Sequence, residues 1–257
     1  SQASFACHLK IDTGMHRQGM APEEIPAVVE ILKGAPGIRV TGMMSHLADA
    51  DGDDPSFTEQ QIAQWNASVR QLKERIPSIR FIHCSATEGS RYADRISANV
   101  LRLGIGLYGC TNNLSVAVEP ALELVSIVSA VRRVKKGEKI GYGITYTAPR
   151  DMMVATVPVG YAEGIDRRLS NRGSMRIRGA ACPIVGRVSM NMTTIDVTNV
   201  TPEARVGDEV VAISRHRDAL NSCESIARLC DTIPYEILVH IPSALRRTYS
   251  FRQPGCE

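Results

Sequence analysis

The run Ser4–Gly34, SFACHLKIDTGMHRQGMAPEEIPAVVEILKG, decides the fold. SFACHLKI reads as a strand, and Asp12, Thr13 and Gly14 turn the chain at its end. APEEIPAVVEILKGAPG then reads as a helix, with Pro22 and the acids after it suited to a first turn. Ile25, Val28, Val29 and Leu32 fall on one face at helical spacing, and Gly34 ends the run. The same unit repeats. IRVTGMMSHL is a strand, and Pro55 to Ile76 is a helix with Ile62, Trp65, Val69, Leu72 and Ile76 on one face. SIRFIHCSA is a strand again, and ISANVLRLGIGLYG closes the series. Strand and helix alternating at this spacing predict parallel strands with crossover helices.

The pattern changes in the second half. From about Ala121 the chain holds short β-rich runs split by Gly, Pro and Asn: LVSIVSAVRRV, MMVATVPVG, MRIRGAACPIVGRV, TTIDVTNV and GDEVVAIS. This predicts a separate all-β domain, interrupted late by a short helix at SCESIARLC and closed by TIPYEILVHIPSALRRTY, with Tyr235 before a strand. The expected domains are 1–116 and 117–257. No repeat or low-complexity segment is present.

Composition narrows the function classes. The 257 residues carry a net charge of +3 with acids interspersed among the bases, which argues against nucleic acid or a membrane surface as partner. No apolar run reaches the roughly 20 residues of a membrane span, and no signal pattern opens the chain. Seven scattered Cys without a C-x-x-C pair suggest free thiols in a reducing cytoplasm rather than a disulfide framework or zinc site.

A parallel α/β half places its chemistry at the carboxyl ends of its strands. The polar residues there are Asp12 to Arg17, His46 with Asp49 and Asp51, His83 to Glu88, and Arg102 to Gly109. His46 reads as a base, a ligand or a satisfied structural residue. No second ligand motif such as H-x-x-x-H accompanies it, so no metal is expected. RLGIGLYG, Arg102 to Gly109, spaces its glycines so that backbone amides could approach an anion, or so that a corner could pack tightly. Tyr142 and Tyr146 in GYGITYTA fit packing residues of a β domain. A tyrosine base would need cations or strong donors beside it, because its ordinary pKa is near 10. VGYAEGIDRR and IVGRVSMNM read as turns, solvated unless something else uses them.

KIDTGMHRQG, SHLADAD, RLGIGLYG, GYGITYTA, VGYAEG, GRVSMN and IPYE, in this order and spacing, resemble the alanine racemase family over nearly the whole chain. The resemblance implies an α/β fold, the C-terminal part of a TIM-type barrel carrying pyridoxal 5'-phosphate, followed by an all-β C-terminal domain. It implies a bacterial cytoplasmic homodimer in which each active site borrows the partner's β domain. It also implies racemisation of a small amino acid, L-alanine to D-alanine for peptidoglycan, by a Lys/Tyr two-base mechanism. By the same resemblance, Arg17 reaches the cofactor's phenolic oxygen and the substrate carboxylate, and Lys10 orients Arg17, carbamylated in some members. Arg102 faces the pyridine nitrogen with His46 behind it. Gly104, Ile105, Thr87 and Tyr235 hold the phosphate. Tyr146 is one of the two bases, the Met190 amide receives the carboxylate, and Asp51, Tyr161, Arg167 and Arg187 line the access channel. An arginine keeps the ring nitrogen unprotonated, which favours racemisation over transamination.

The family's Schiff-base lysine lies in a V-K-A-N-A-Y-G-H-G type motif that nothing here matches. The chain is therefore expected to begin inside the barrel and to lack activity alone, so the functional expectation is for the parent protein. Ala86-Thr87 stands where the family usually has Asn-Ser, and Met190-Asn191 where it has Met-Asp. Both changes alter the polar shell and keep serine or broad specificity open, while Tyr235 limits the pocket toward alanine. A non-catalytic cofactor-binding relative is the other reading, fed by the missing lysine and by Ala86.

Overall fold

In the computed structural model, which describes residues 4–111 and 118–250, the chain divides into two compact units, Ser1–Val118 and Glu119–Glu257. The boundary expected at 116/117 lies outside the described residues. In the first unit Phe5–Lys10 form β1, Ile25–Lys33 α1, Ile38–Met44 β2, Ser56–Arg75 α2 and Phe81–His83 β3. The strands form one parallel sheet in the order β1-β2-β3, with Lys10 opposite Met44 and Met44 opposite His83. That register brings all three strand ends to one edge of the sheet.

The helices form where the apolar spacing predicts them. α1 is entered through a 3-10 turn, Pro22–Glu24, where the Glu24 carboxylate accepts the Ala21 amide at 2.7 Å. α2 presents Ile62, Trp65, Val69 and Leu72 to the core and ends with Lys73 and Arg75, cations that suit a helix C-terminus. Trp65, Ile11, Ile25, Met43 and Leu72 are fully buried, and the Trp65 indole N–H donates to Ser97 O at 3.1 Å.

Two expectations need correction here. The third strand shrinks to Phe81–His83, because the chain beyond it turns to wrap Arg102. The closing run ISANVLRLGIGLYG forms no strand and only a 3-10 turn, Ile105–Tyr108, ended by Gly109 at φ 75°. The described residues therefore form an open three-stranded sheet and no closed barrel. Three strands are too few to close on themselves at any barrel tilt.

The second unit holds Leu124–Ile127 (β4), Ala130–Val134 (β5), Lys139–Ile140 (β6), Tyr146–Thr147 (β7), Met152–Val157 (β8), Ser174–Ile177 (β9), Ala180–Pro183 (β10), Thr193–Asp196 (β11) and Glu209–Ile213 (β12). They pair antiparallel as β10-β9-β12-β4, as β11-β8-β5, and as the hairpin β6-β7. Alternate residues of β9 and β11 point inward, burying Met175, Ile177 and Ile195. The unit is not all β: helices Cys223–Leu229 (α3) and Pro234–Val239 (α4) pack together. Tyr235 thus sits in a helix rather than before a strand. Pro234 occupies a first-turn position where no N–H is needed, and the next five residues carry it on. No helix among the described residues is long and apolar enough to cross a membrane, and the six described cysteines are free.

Trp65→Ala should destabilise the first unit by about 3–5 kcal/mol, since it empties the largest fully buried side chain among the described residues. Hydrogen exchange on the full-length protein checks this. Peptides from residues 56–75 should lose protection while those of the second unit keep theirs.

Candidate active site

The strand ends of the first unit are held by short polar contacts. The Asp12 carboxylate accepts the amides of Gly14 and His16, both at 3.0 Å, and so curls the loop after β1. Backbone bonds from Asp12 N–H to Met20 O (2.8 Å) and from Met20 N–H to Lys10 O (2.9 Å) close its base. Gly19, at φ 117°, leaves no room for a side chain there: a Cβ would lie 2.9 Å from the Asp12 nitrogen. The loop displays Arg17, which is exposed and has no hydrogen-bond partner among the described residues. Thr13 and Ser45 hydroxyls meet at 2.9 Å, and Ser45 donates to Ile11 O at 2.8 Å, pinning the end of β2 to the end of β1.

Arg102 is the centre of this edge. One terminal nitrogen lies 2.7 Å from His83 Nδ1. The other lies 2.9 Å from His46 Nδ1, 2.9 Å from Ser45 O and 3.1 Å from Cys84 O. A guanidinium only donates, so both imidazoles accept through Nδ1. Their protonation agrees with this. Burial, then the charge of Arg102, then His8 push His83 down to about 4. Burial, Arg102, Arg17 and Lys10 push His46 below the ordinary histidine value. The edge therefore carries Arg17, Lys10 and Arg102 as cations beside two neutral rings. The Arg102 Nε–H has no acceptor among the described residues.

Thr87 links Arg102's loop to the rest. Its buried hydroxyl accepts the amides of Gly104 (3.3 Å) and Gly106 (3.1 Å). A Cβ on Gly106 would meet the Thr87 methyl at 2.8 Å, whereas one on Gly104 would enter open space. The Gly104 amide expected to face a phosphate is thus shared with Thr87, while the Ile105 N–H has no acceptor among the described residues. Asp51 lies on the loop after β2.

The second unit carries Tyr146, Tyr161, Arg167, Arg187, Met190 and Tyr235. The Tyr146 ring is half-buried against a cluster of Ile140, Ala148, Met152, Val154 and Val185, and its hydroxyl has no partner among the described residues. The β6-β7 tip lies close to Arg187: a Cβ on Gly141 (φ 76°) would fall 3.2 Å from the Arg187 backbone nitrogen, and one on Gly143 (φ 67°) 3.4 Å from Arg187 Nε. Tyr161, Asp166, Arg167 and His240 border a cleft of about 340 Å³. Arg168 chelates Asp166 and reaches Glu236, next to Tyr235, at 3.4 Å, which ties the Arg167 turn to α4. Met190, more than half exposed, offers an N–H without an acceptor among the described residues.

His83 is the functional residue that sequence reasoning left without a role. Its signal was its place at the end of a strand, one residue before Cys84, whose carbonyl also holds Arg102. Among the described residues no cluster of three or more His, Cys, Asp or Glu could hold a metal.

A cation-rich edge at the ends of parallel strands in the first unit, and a β-rich second unit, define the class: an α/β-plus-β protein. Residues 1–112 match the description "Alanine racemase, N-terminal domain" and residues 121–249 "Alanine racemase, C-terminal domain". The chain belongs to the alanine racemase family. It is 40% identical over 253 residues to an alanine racemase of Sorangium cellulosum (strain So ce56), covering 96% of this chain and 66% of that protein. It superposes with a TM-score of 0.81 and 31% identity on the alanine racemase of Bacillus anthracis with bound L-Ala-P, covering 93% of this chain and 63% of that one. The alanine racemase of Bartonella henselae with covalently bound pyridoxal phosphate gives 0.83 and 25%, covering 96% and 67%. The chain spans less than two thirds of the length of the first curated relatives it matches.

The depressed His83 pKa carries a sign. Stability from the neutral ring is present above pH 6.5, the ordinary value, and is lost as pH falls from there toward about 4. NMR of the full-length protein should find a His83 ring that stays neutral at pH 5.5, and a ring titrating near 6.5 would contradict the Arg102 contact.

Proposed function

We propose that the parent protein racemises a small amino acid, alanine, with pyridoxal 5'-phosphate as cofactor. The single observation that carries the reading is Arg102, held by two neutral imidazoles and two carbonyls with a donor to spare. The residues present suit the group. Arg17 and Lys10 give positive potential, Ile105 N–H and the open space at Gly104 suit a phosphate, and the Arg102 Nε–H suits an aromatic ring nitrogen. Bound there, the cofactor supplies an electron sink that acidifies the α-proton of an amino acid.

The chain's own residues then have definite tasks. Arg102 donates and never gives up its proton at neutral pH, so it keeps a proton off the ring nitrogen. Arg17 and the Met190 N–H receive the substrate carboxylate and fix the Cα. Tyr146 takes or returns a proton at its phenolic oxygen on one face of that carbon, and a second base serves the opposite face. Lys33 pairs with Glu30 at 2.7 Å on α1 and Lys73 lies on α2, so neither serves as that base or as the cofactor's anchor. Asp51, Tyr161, Arg167 and Arg187 line the approach, and Thr87 and Tyr235 complete the phosphate's surroundings. The first unit is read as part of a TIM-type barrel, and the active form as a homodimer that pairs one subunit's strand ends with the other's Tyr146. D-alanine so made would serve cell-wall peptidoglycan.

Exchange of the α-proton of L- and D-alanine in heavy water, by the full-length protein, tests this, with serine run alongside. Exchange of alanine supports the reading and its absence overturns it. Tyr146→Phe should slow exchange of one enantiomer by about 10²- to 10⁴-fold while cofactor absorbance is unchanged. Wild-type exchange of both enantiomers would remove Tyr146 from the chemistry.

A further inference from the structure

Glu163 and Asn191 share a contact to which nothing above assigns a role. Glu163 ends the 3-10 turn Tyr161–Glu163, and its carboxylate divides its oxygens between two donors. Oε2 accepts the Gly160 amide at 2.8 Å, and Oε1 accepts the Asn191 side-chain amide at 2.8 Å. The first bond closes the turn, and the second ties it to the loop Ser189–Met192. Backbone bonds run along the same seam, from Tyr161 N–H to Ser189 O (3.1 Å) and from Ala162 N–H to Met190 O (2.9 Å). Gly160 lets the two segments approach: a Cβ there would fall 2.2 Å from Ser189 O and 2.4 Å from Met190 O. Ser189 N–H donates to Met192 O at 2.9 Å, so the loop is a tight turn in its own right.

The geometry fixes one peptide plane. The Ser189 carbonyl shares that plane with the Met190 N–H and accepts from Tyr161, so the N–H points to the opposite side and is the group left to the ligand. What holds this arrangement from the side is a single amide-to-carboxylate bond. Only a donor at position 191 can make it. An acid there would set two carboxylates against each other in place of a donor and an acceptor. An amide also adds no negative charge beside the place where a substrate carboxylate docks.

We infer that Glu163 and Asn191 are positioning residues that hold the Met190 N–H toward the substrate carboxylate. The inference rests on the racemase reading for what the amide binds, and on the hydrogen bonds alone for how it is held. It assigns Asn191 a purpose: the residue is the donor that the Glu163 carboxylate requires.

The test reverses the pair in the full-length holoenzyme. Asn191→Asp should raise the KM for alanine about 10-fold and change kcat by less than about 3-fold, since the loss falls on binding of a group that is present throughout. Adding Glu163→Gln to Asn191→Asp swaps donor and acceptor, because the new glutamine oxygen still accepts the Gly160 amide while its nitrogen donates to the new aspartate. That double variant should recover most of the KM. Glu163→Gln alone should have the smaller effect of the two single changes, as Asn191 can turn its own oxygen toward the new amide. A KM for Asn191→Asp within about 2-fold of wild type, or a double variant no better than Asn191→Asp, overturns the inference. If the wild-type holoenzyme exchanges no α-proton, the racemase reading falls separately. The clamp is then read from hydrogen exchange at the Tyr161 and Ala162 amides. Asn191→Asp should loosen them and the double variant restore them, and unchanged protection in Asn191→Asp overturns the clamp as well.

Discussion

A guanidinium that must be solvated without a carboxylate is the constraint on which the first unit's edge depends. Arg102 finds its acceptors in two backbone carbonyls and two imidazole nitrogens drawn from the ends of β2 and β3. Neutral acceptors do not cancel its charge, so the edge stays positive. Burial first, and then this charge, keep the imidazoles unprotonated, because a protonated ring would be a poorly solvated second cation against the first. The arrangement is self-consistent: the cation selects the neutral rings, and the neutral rings leave the cation free to act on a ligand. A carboxylate in place of either histidine would have offset the charge of Arg102 and left the edge less positive.

The second unit solves a different problem, that of holding exposed loops still without burying them. It uses glycines where backbones cross closely and ion pairs where side chains can reach. Gly160 admits the Ser189 and Met190 carbonyls, and Gly141 and Gly143 admit Arg187. Arg168, bonded to Asp166 and Glu236, ties the Arg167 turn to α4. Exposed ion pairs of this kind contribute little to stability, about 0–1 kcal/mol each, so their value here is geometric. The hydrophobic layers of β8, β9, β11 and β12 supply the stability against which these loops are set.

Much of this was legible in the residues. The stripe Ile62, Trp65, Val69, Leu72 announced α2 because a helix can bury only one face, and period 3.6 is the signature of that face. Arg17 and His46 were legible as neighbours because parallel strands deliver their C-terminal residues to one edge, whereas Arg102 lies on a run that forms no strand and is held there by Ser45, His46, His83 and Cys84. His83 gained no role, since a lone histidine at a strand end does not say what its ring nitrogens touch. Tyr235 was set before a strand, although Pro234 admits both an extended start and a first helical turn. Packing against α3 decided for the helix.

By itself, the sequence determined the order of elements from β1 to β3, the parallel α/β half, the β-rich half, and the polar residues at the ends of β1 and β2. These follow from short-range periodicity and from the motifs' order along the chain. Only the tertiary structure decided that Arg102 lies between His46 and His83, that Thr87 closes over Gly104 and Gly106, and that Glu163 meets Asn191. Each of these joins residues separated in sequence by 17 to 56 positions. Hydrogen bonds act over about 3 Å, and nothing local in a chain says which distant groups folding will bring that close.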